Sequence, residues 1–131
     1  MSMLQCYEQV KIKEDFWDVT INCLFCTLGN LEDYIKNNFD KDLVVITEHI
    51  TKNYKGTTII MPTGEIILWM PDIPKTSVAL GTLSHEVFHI TKYILKDIQC
   101  IPLNDDTEEI YATTLGRIIE LITNKLNPSI I

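Results

Sequence analysis

TLSHEVFHIT, residues 82–91, is the stretch that is most informative about the fold and the chemistry of this chain. It lies in a proline-free segment, from about Lys75 to Lys96, in which apolar residues recur at helical spacing. Thr76 or Ser77 can cap the start of this segment, so the sequence predicts a long helix. Glu86 is the one charged residue in the stretch, whereas a solvent-facing helix normally carries several charges over such a length.

Two histidines and a glutamate carry the candidate chemistry of this helix. His85 and His89 are four residues apart and therefore lie on one helix face, where two imidazoles can reach a common point. Two neutral imidazoles suit zinc. Glu86 is turned by about 100° from His85, so it lies beside a bound metal and can take a proton from the metal-activated water. The alternative is a hydrogen-bonded cluster of these three side chains in a metal-free helix.

A zinc site with two histidines needs a third protein ligand. The acidic segment NDDTEEIYATT, residues 104–114, is the best source in the sequence. We expect Glu109, because antiparallel pairing of the last two helices would bring the start of the second one to the histidines, and Gly116 would permit a close approach. Asp106 to Glu109 also spells a helix-capping box, which is a structural alternative for the same carboxylate. The other candidates for the third ligand are Glu108, Asp105, Asp106 and His49.

The apolar pattern along the chain predicts an α+β domain that spans residues 1–131. Alternating residues indicate strands, and the turn Pro62-Thr63-Gly64 indicates a hairpin. Together they predict a small mixed or antiparallel sheet with an N-terminal helix and two long C-terminal helices. The predicted strands are Phe16–Cys26, Leu43–Thr47, Thr57–Met61 and Glu65–Met70, with a turn at Tyr54–Gly56. The predicted first helix is Leu31–Phe39, capped by Asn30 after a break at Gly29, and the second is Lys75–Lys96. The last helix follows Asp105 and Asp106, runs to about Leu126 and is stopped by Asn127-Pro128.

Composition limits the classes of partner. The chain has 131 residues, 46% of them hydrophobic, and a net charge of −7, so nucleic-acid backbones would be repelled. Apolar stretches fall short of the roughly 20 residues that a membrane span needs, and the first ten residues do not resemble a signal peptide. The sequence therefore predicts a cytoplasmic protein that binds neither nucleic acid nor membrane.

The cysteines predict no structural zinc site. Cys23 and Cys26 form a single C-x-x-C, and neither Cys6 nor Cys100 supplies a second pair at a matching spacing. Positions three apart on a strand face opposite sides. We therefore expect reduced thiols at Cys23 and Cys26, partly buried in the fold.

The residues from Thr82 to Ile90 resemble the extended zincin metallopeptidase signature. They carry HEVFH, a threonine at the first position and an apolar residue after the second histidine, although Thr91 is more polar than the family's usual closing residue. Glu109-Ile110-Tyr111-Ala112 resembles the glutamate helix of gluzincins, and the layout is similar to small phage-encoded metallopeptidases. The specific likeness covers about Thr57 to Ile119. It implies zinc ligands at His85, His89 and Glu109, with Glu86 as the general base.

The resemblance also implies an activity, hydrolysis of a peptide bond in a peptide or protein substrate. The strand before the active helix, Glu65–Met70, would be the edge strand that pairs with substrate. Tyr111, or alternatively Tyr93, is a candidate for stabilising the oxyanion, the alternative being that each tyrosine only packs in the core or between helices. Trp69 either lines the cleft or is buried. Because the chain is short, a protein partner is expected to complete the cleft. If phage-encoded, the protein would act in the host cytoplasm. The competing hypothesis is a non-catalytic zincin-like binding or structural module, such as a phage accessory or assembly component.

Overall fold

The computed structural model describes residues 8–39 and 56–126 of the chain. These parts form a four-stranded mixed sheet with α-helices on both faces, which confirms the predicted α+β class. The elements are β1 (Glu8–Glu14), β2 (Val19–Phe25), α1 (Leu28–Asn38), β3 (Thr57–Ile60), β4 (Ile66–Met70), α2 (Ser77–Lys92), a π-helical segment (Tyr93–Ile98) and α3 (Glu108–Leu126).

The strand order in the sheet is β1-β2-β4-β3. β1 and β2 pair antiparallel, with Ile12 opposite Ile21. β2 and β4 pair parallel, with Cys23 opposite Leu68. β3 and β4 form the antiparallel hairpin that the sequence predicts, and Gly64 has a φ of +92° in its turn, a conformation that glycine adopts without strain.

Alternating side chains of the sheet build two apolar layers, since successive residues of a strand face opposite sides. One layer packs the sheet against α2, the π-helical segment and α3; among its members are Ile12, Ile21, Leu68, Val87, Ile90 and Ile118. The other packs the opposite face against α1; its buried members are Leu24, Cys26, Leu31, Ile35, Met61, Ile67 and Trp69. The helix that carries HEVFH therefore lies against one sheet face, with its polar side turned outward.

A fully buried carboxylate joins the first strand to the last helix. The Glu14 side chain has 0% exposure and lies 2.5 Å from the Nε of Arg117, which donates to it. The backbone N–H of Trp17 donates to the other carboxylate oxygen at 2.7 Å, and the Trp17 indole donates to Thr114. The charge on Glu14 is thus both paired and hydrogen-bonded, as burial of a carboxylate requires.

The first helix begins earlier than the sequence predicts. α1 begins at Leu28, and its cap is Thr27, whose hydroxyl oxygen accepts a hydrogen bond from the Asn30 N–H at 3.2 Å. The prediction of Asn30 as cap is wrong because Gly29 does not break the chain but lies in the first helical turn.

Other boundaries near the site also differ from the prediction. β3 lies at the edge of the described sheet and β4 is interior, so the expected edge strand, Glu65–Met70, was the wrong member of the hairpin. No strand was predicted for Glu8–Glu14. The predicted strand Leu43–Thr47, most of the Tyr54–Gly56 turn and the stop at Asn127-Pro128 lie outside the described residues.

The last two helices agree with the predicted pattern and extend it. Thr76 caps α2, its hydroxyl oxygen accepting from the Ala79 N–H at 3.1 Å, and the helical path continues to Ile98 with wider π-helical hydrogen bonding. Thr107 precedes α3, and its carbonyl accepts from the N–H of Ile110. The capping box from Asp106 to Glu109, the alternative role for Glu109, is not seen, because the Asp106 N–H donates to Asn104 and the Glu109 carboxylate accepts from Thr113. Within residues 8–39 and 56–126 no helix is long and apolar enough to cross a membrane.

Candidate metal centre

The two histidines of α2 come together on the outer face of the helix. Their Nε2 atoms are 3.1 Å apart, and the rings meet edge to face with centroids 4.8 Å apart. Both side chains are exposed, that of His85 by 67%. The four-residue spacing therefore produces the convergence of imidazoles that the sequence predicts.

The separation of the two Nε2 atoms fits two coordination positions of one metal ion. Two nitrogens bound at the usual Zn–N distance in tetrahedral geometry are about 3.3 Å apart, close to the separation of Nε2 atoms at His85 and His89. The same distance also suits a hydrogen bond between one protonated and one unprotonated ring nitrogen. A measurement of metal binding distinguishes a shared metal ion from a hydrogen bond between the rings.

Glu86 is buried beside the pair. The residue is 6% exposed, and its carboxylate oxygen Oε2 lies 4.0 Å from Nε2 of His85. The other oxygen, Oε1, accepts a hydrogen bond from the hydroxyl of Thr58 at 3.0 Å. This is the arrangement expected of a carboxylate that stands next to a metal site without belonging to its ligand set.

His85, Glu86 and His89 line a cleft of about 560 Å³ between α2 and the edge strand β3. The volume falls in the range of small-molecule and peptide sites. β3 and the residue before it form one wall, and α2 with the π-helical segment forms the other. The lining residues are Gly56, Thr57, Thr58, Ile60, His85, Glu86, His89, Lys92, Tyr93 and Asp97.

The structure does not bring Glu109 to the histidines. Across residues 8–39 and 56–126, no three His, Cys, Asp or Glu side chains are grouped so as to hold a metal. Glu109 is exposed in the first turn of α3, where its Oε2 accepts from the hydroxyl of Thr113 at 3.4 Å. Gly116, expected at a close helix contact, is exposed, and a Cβ added there would meet nothing within 4 Å. The described residues thus bring together two candidate metal ligands, His85 and His89, and the third ligand stays a prediction.

The same finding applies to the other carboxylate candidates for the third ligand. Asp105, Asp106 and Glu108 all lie in the described part of the chain, and none joins the histidines in a group of three. His49 lies outside the described residues.

Tyr111 occupies a different cavity from the histidines. Its hydroxyl donates to the carbonyl of Ile101 at 2.6 Å, and its ring lines a space of about 340 Å³ on the other side of Lys92. Burial raises the pKa of the Tyr111 phenol, and the negative charge of Asp97 raises it further, so this hydroxyl stays a donor. Tyr93, the second tyrosine named from the sequence, is the one that lines the histidine cleft.

Trp69 faces away from the cleft. It is 3% exposed, packs in the layer beneath α1, and donates its indole N–H to the carbonyl of Cys26 at 3.0 Å. Of the two alternatives for Trp69, burial is therefore correct and lining of the substrate cleft is wrong, because adjacent strand positions alternate between faces and position 69 points to α1.

Cys23 and Cys26 lie in opposite layers, as a three-residue spacing on a strand requires. Both are buried free thiols, and Cys100 is an exposed one. Burial raises the pKa of Cys23 to about 12 and that of Cys26 to about 11. Because the two thiols lie in opposite layers, they do not face a common point.

Sequence reasoning missed Thr58 and Lys92 as cleft residues. Thr58 belongs to a strand that the sequence predicts, but nothing in the chain indicates that it meets a residue 28 positions later. Lys92 follows His89 by three residues on the same helix, so the helical period alone could have placed it beside the histidines.

Comparison of the chain with protein-family models, curated proteins and solved structures finds no match. The zincin resemblance therefore stays a prediction from the sequence motif.

Proposed function

We propose that this protein is a metal-dependent peptidase in which His85 and His89 hold zinc and Glu86 is the general base. The single observation that carries the proposal is the buried carboxylate of Glu86 beside two converging imidazoles in an open cleft. A structural metal would gain nothing from a carboxylate that stands outside its ligand set. A hydrolytic site needs one.

A bound zinc ion would act as a Lewis acid toward the substrate carbonyl and make water acidic enough to lose a proton near neutral pH. Glu86 is oriented to accept that proton, because its Oε2 lies on the histidine side while Oε1 is held by Thr58. The same carboxyl group then delivers the proton to the leaving amine. Burial keeps bulk water from competing for this carboxylate.

A peptide is the substrate class that the cleft supports. β3 forms one wall and lies at the edge of the described sheet, and edge strands bind extended chains through their backbone N–H and C=O groups. An extended peptide beside β3 would pass in front of the histidines. A protein partner that completes the cleft remains part of the proposal.

Tyr93 is the phenol best placed to assist the reaction. It lines the cleft one turn beyond His89, whereas Tyr111 is bonded to Ile101 in another cavity. A phenolic O–H directed at the developing oxyanion supplies the kind of stabilisation that peptide hydrolysis needs.

The proposed place of action is the cytoplasm, of the host cell if the gene is phage-borne. Cys23, Cys26 and Cys100 are free thiols, and free thiols are typical of reducing compartments.

A non-catalytic metal-binding module is the second candidate function. One observation favours it, namely that the described residues bring two metal ligands together and not three. A two-histidine site binds metal more weakly and releases it more readily than a three-ligand site. Metal binding without turnover would support this candidate.

The test is metal analysis joined to a hydrolysis assay. Protein prepared without chelator is analysed for zinc and assayed on fluorescein-labelled denatured casein, as wild type, His85→Ala, Glu86→Gln and Glu120→Gln. Glu120 is exposed on α3 and serves as the matched control. We expect His85→Ala to lose zinc, and Glu86→Gln to keep zinc while losing at least about 100-fold in rate. Turnover that survives Glu86→Gln would refute the proposal.

A further inference from the structure

We infer that Thr58 is a positioning residue for Glu86. By binding Oε1, it leaves Oε2 as the carboxylate oxygen that takes up the proton. The inference rests on the proposed function and deepens it. It concerns a strand residue that no motif marks, 28 positions before the carboxylate that it contacts.

The hydroxyl of Thr58 touches Glu86 at two points. Oγ1 lies 3.0 Å from the carboxylate oxygen Oε1 and 3.1 Å from the backbone carbonyl oxygen of the same residue. A hydroxyl carries one proton, so the two acceptors share one donor. The contact ties the glutamate side chain to its own backbone and holds the carboxylate against the wall of the cleft.

The carboxylate is the acceptor that needs this donor. Glu86 lies in the middle of α2, where the helical pattern already gives its carbonyl a partner four residues onward. Oε1 has no such partner within the helix. For a residue that is 6% exposed, a carboxylate without a donor would carry a large desolvation cost.

Thr58 has little conformational freedom, whereas the Glu86 side chain that it contacts is flexible. Threonine is restricted about χ1 because it is branched at Cβ, and it is held in β3 by pairing with Leu68 of β4. Glutamate has three rotatable side-chain bonds to order. Fixing Oε1 leaves Oε2 near His85, and a displacement of about 1 Å in such a group can cost on the order of 100-fold in rate.

The test compares Thr58→Val with Thr58→Ser. Valine keeps the shape and the β-branch but removes the hydroxyl, whereas serine keeps the hydroxyl. Thr91→Val is the matched control, since Thr91 is buried on α2 and its hydroxyl donates to the carbonyl of Val87 at 2.8 Å without touching Glu86. Each variant is loaded with Co²⁺, assayed on labelled denatured casein for kcat and KM, and crystallised.

We expect Thr58→Val to lower kcat by about 10- to 100-fold with KM and Co²⁺ affinity within about threefold of wild type, as for a residue that acts through Glu86. Thr58→Ser should recover most of kcat, and Thr91→Val should retain it. A Thr58→Val rate within twofold of wild type would overturn the inference.

The crystal structures separate this inference from the proposed function. If the wild type does not cleave casein, the peptidase proposal fails, but the position of Glu86 still decides the role of Thr58. A carboxylate that turns away from His85 in Thr58→Val alone supports positioning. A carboxylate that keeps its place in all variants refutes it.

Discussion

The Nε2 atoms of His85 and His89 lie 3.1 Å apart on the outer face of α2. This separation satisfies a shared metal ion and also a hydrogen bond between the rings. Only the first arrangement makes the buried carboxylate of Glu86, 4.0 Å from His85, useful for chemistry.

Zinc should stabilise the wild-type protein and leave His89→Ala unaffected. With free zinc at 100 times its dissociation constant, binding to the folded state adds about 2.7 kcal/mol to the free energy of unfolding. For a chain of this size that raises the melting temperature by about 10 °C. Thermal denaturation followed by circular dichroism, with and without zinc, measures the shift. An equal shift in His89→Ala would mean that zinc binds elsewhere.

Glu109→Gln should leave zinc affinity within about twofold of wild type. In the structure Glu109 accepts from Thr113 and does not line the histidine cleft, so its charge is not part of the site. Competition titration against a chromogenic chelator gives the dissociation constant. A loss of tenfold or more would show that Glu109 is the third ligand, as the sequence predicts, and that α3 approaches the metal when it binds.

Arg117→Gln should destabilise the fold by about 3 kcal/mol, the low end for breaking a buried ion pair. Glu14 is fully buried and would lose its cationic partner, while the N–H groups of Phe16 and Trp17 would still donate to it. Urea denaturation measures the change. Lys13→Gln is the matched control, because its ion pair with Asp18 is largely exposed and its removal should leave the midpoint nearly unchanged. Equal effects of the two substitutions would contradict the role assigned to the Glu14 pair.

Stability should fall in alkaline solution in a way that depends on Cys23. Burial raises the pKa of this thiol from 9.0 to about 12, so between these values the unfolded chain has lost a proton that the folded chain retains. The stabilisation is therefore complete below pH 9 and is lost as pH rises toward 12, at about 1.4 kcal/mol per pH unit. Urea denaturation of wild type and Cys23→Ala at pH 8 and pH 10.5 should show about 2 kcal/mol more loss in the wild type. Parallel losses in the two proteins would rule out this linkage.

Local pattern predicted the elements well where one period dominated. The hairpin was found because Gly64 occupies a turn that needs positive φ, and α2 because its apolar residues repeat with the helical period. β1 also alternates, with Val10 and Ile12 buried and Lys11 exposed, so the same rule could have found it. The sequence misplaces the start of α1 because a glycine is typical of a helix break, although a good cap, Thr27, lies two residues before Gly29.

The sequence by itself determined the α+β class, the helical face shared by His85 and His89, and the neighbouring place of Glu86. These follow from spacing along one element, which the backbone period sets without any other part of the chain. Only the tertiary structure decided that Thr58 holds Glu86, that Tyr93 and not Tyr111 lines the cleft, and that Glu109 stays apart from the histidines. Contacts between elements depend on how the elements pack against one another, and the spacing of residues along one element does not encode that packing.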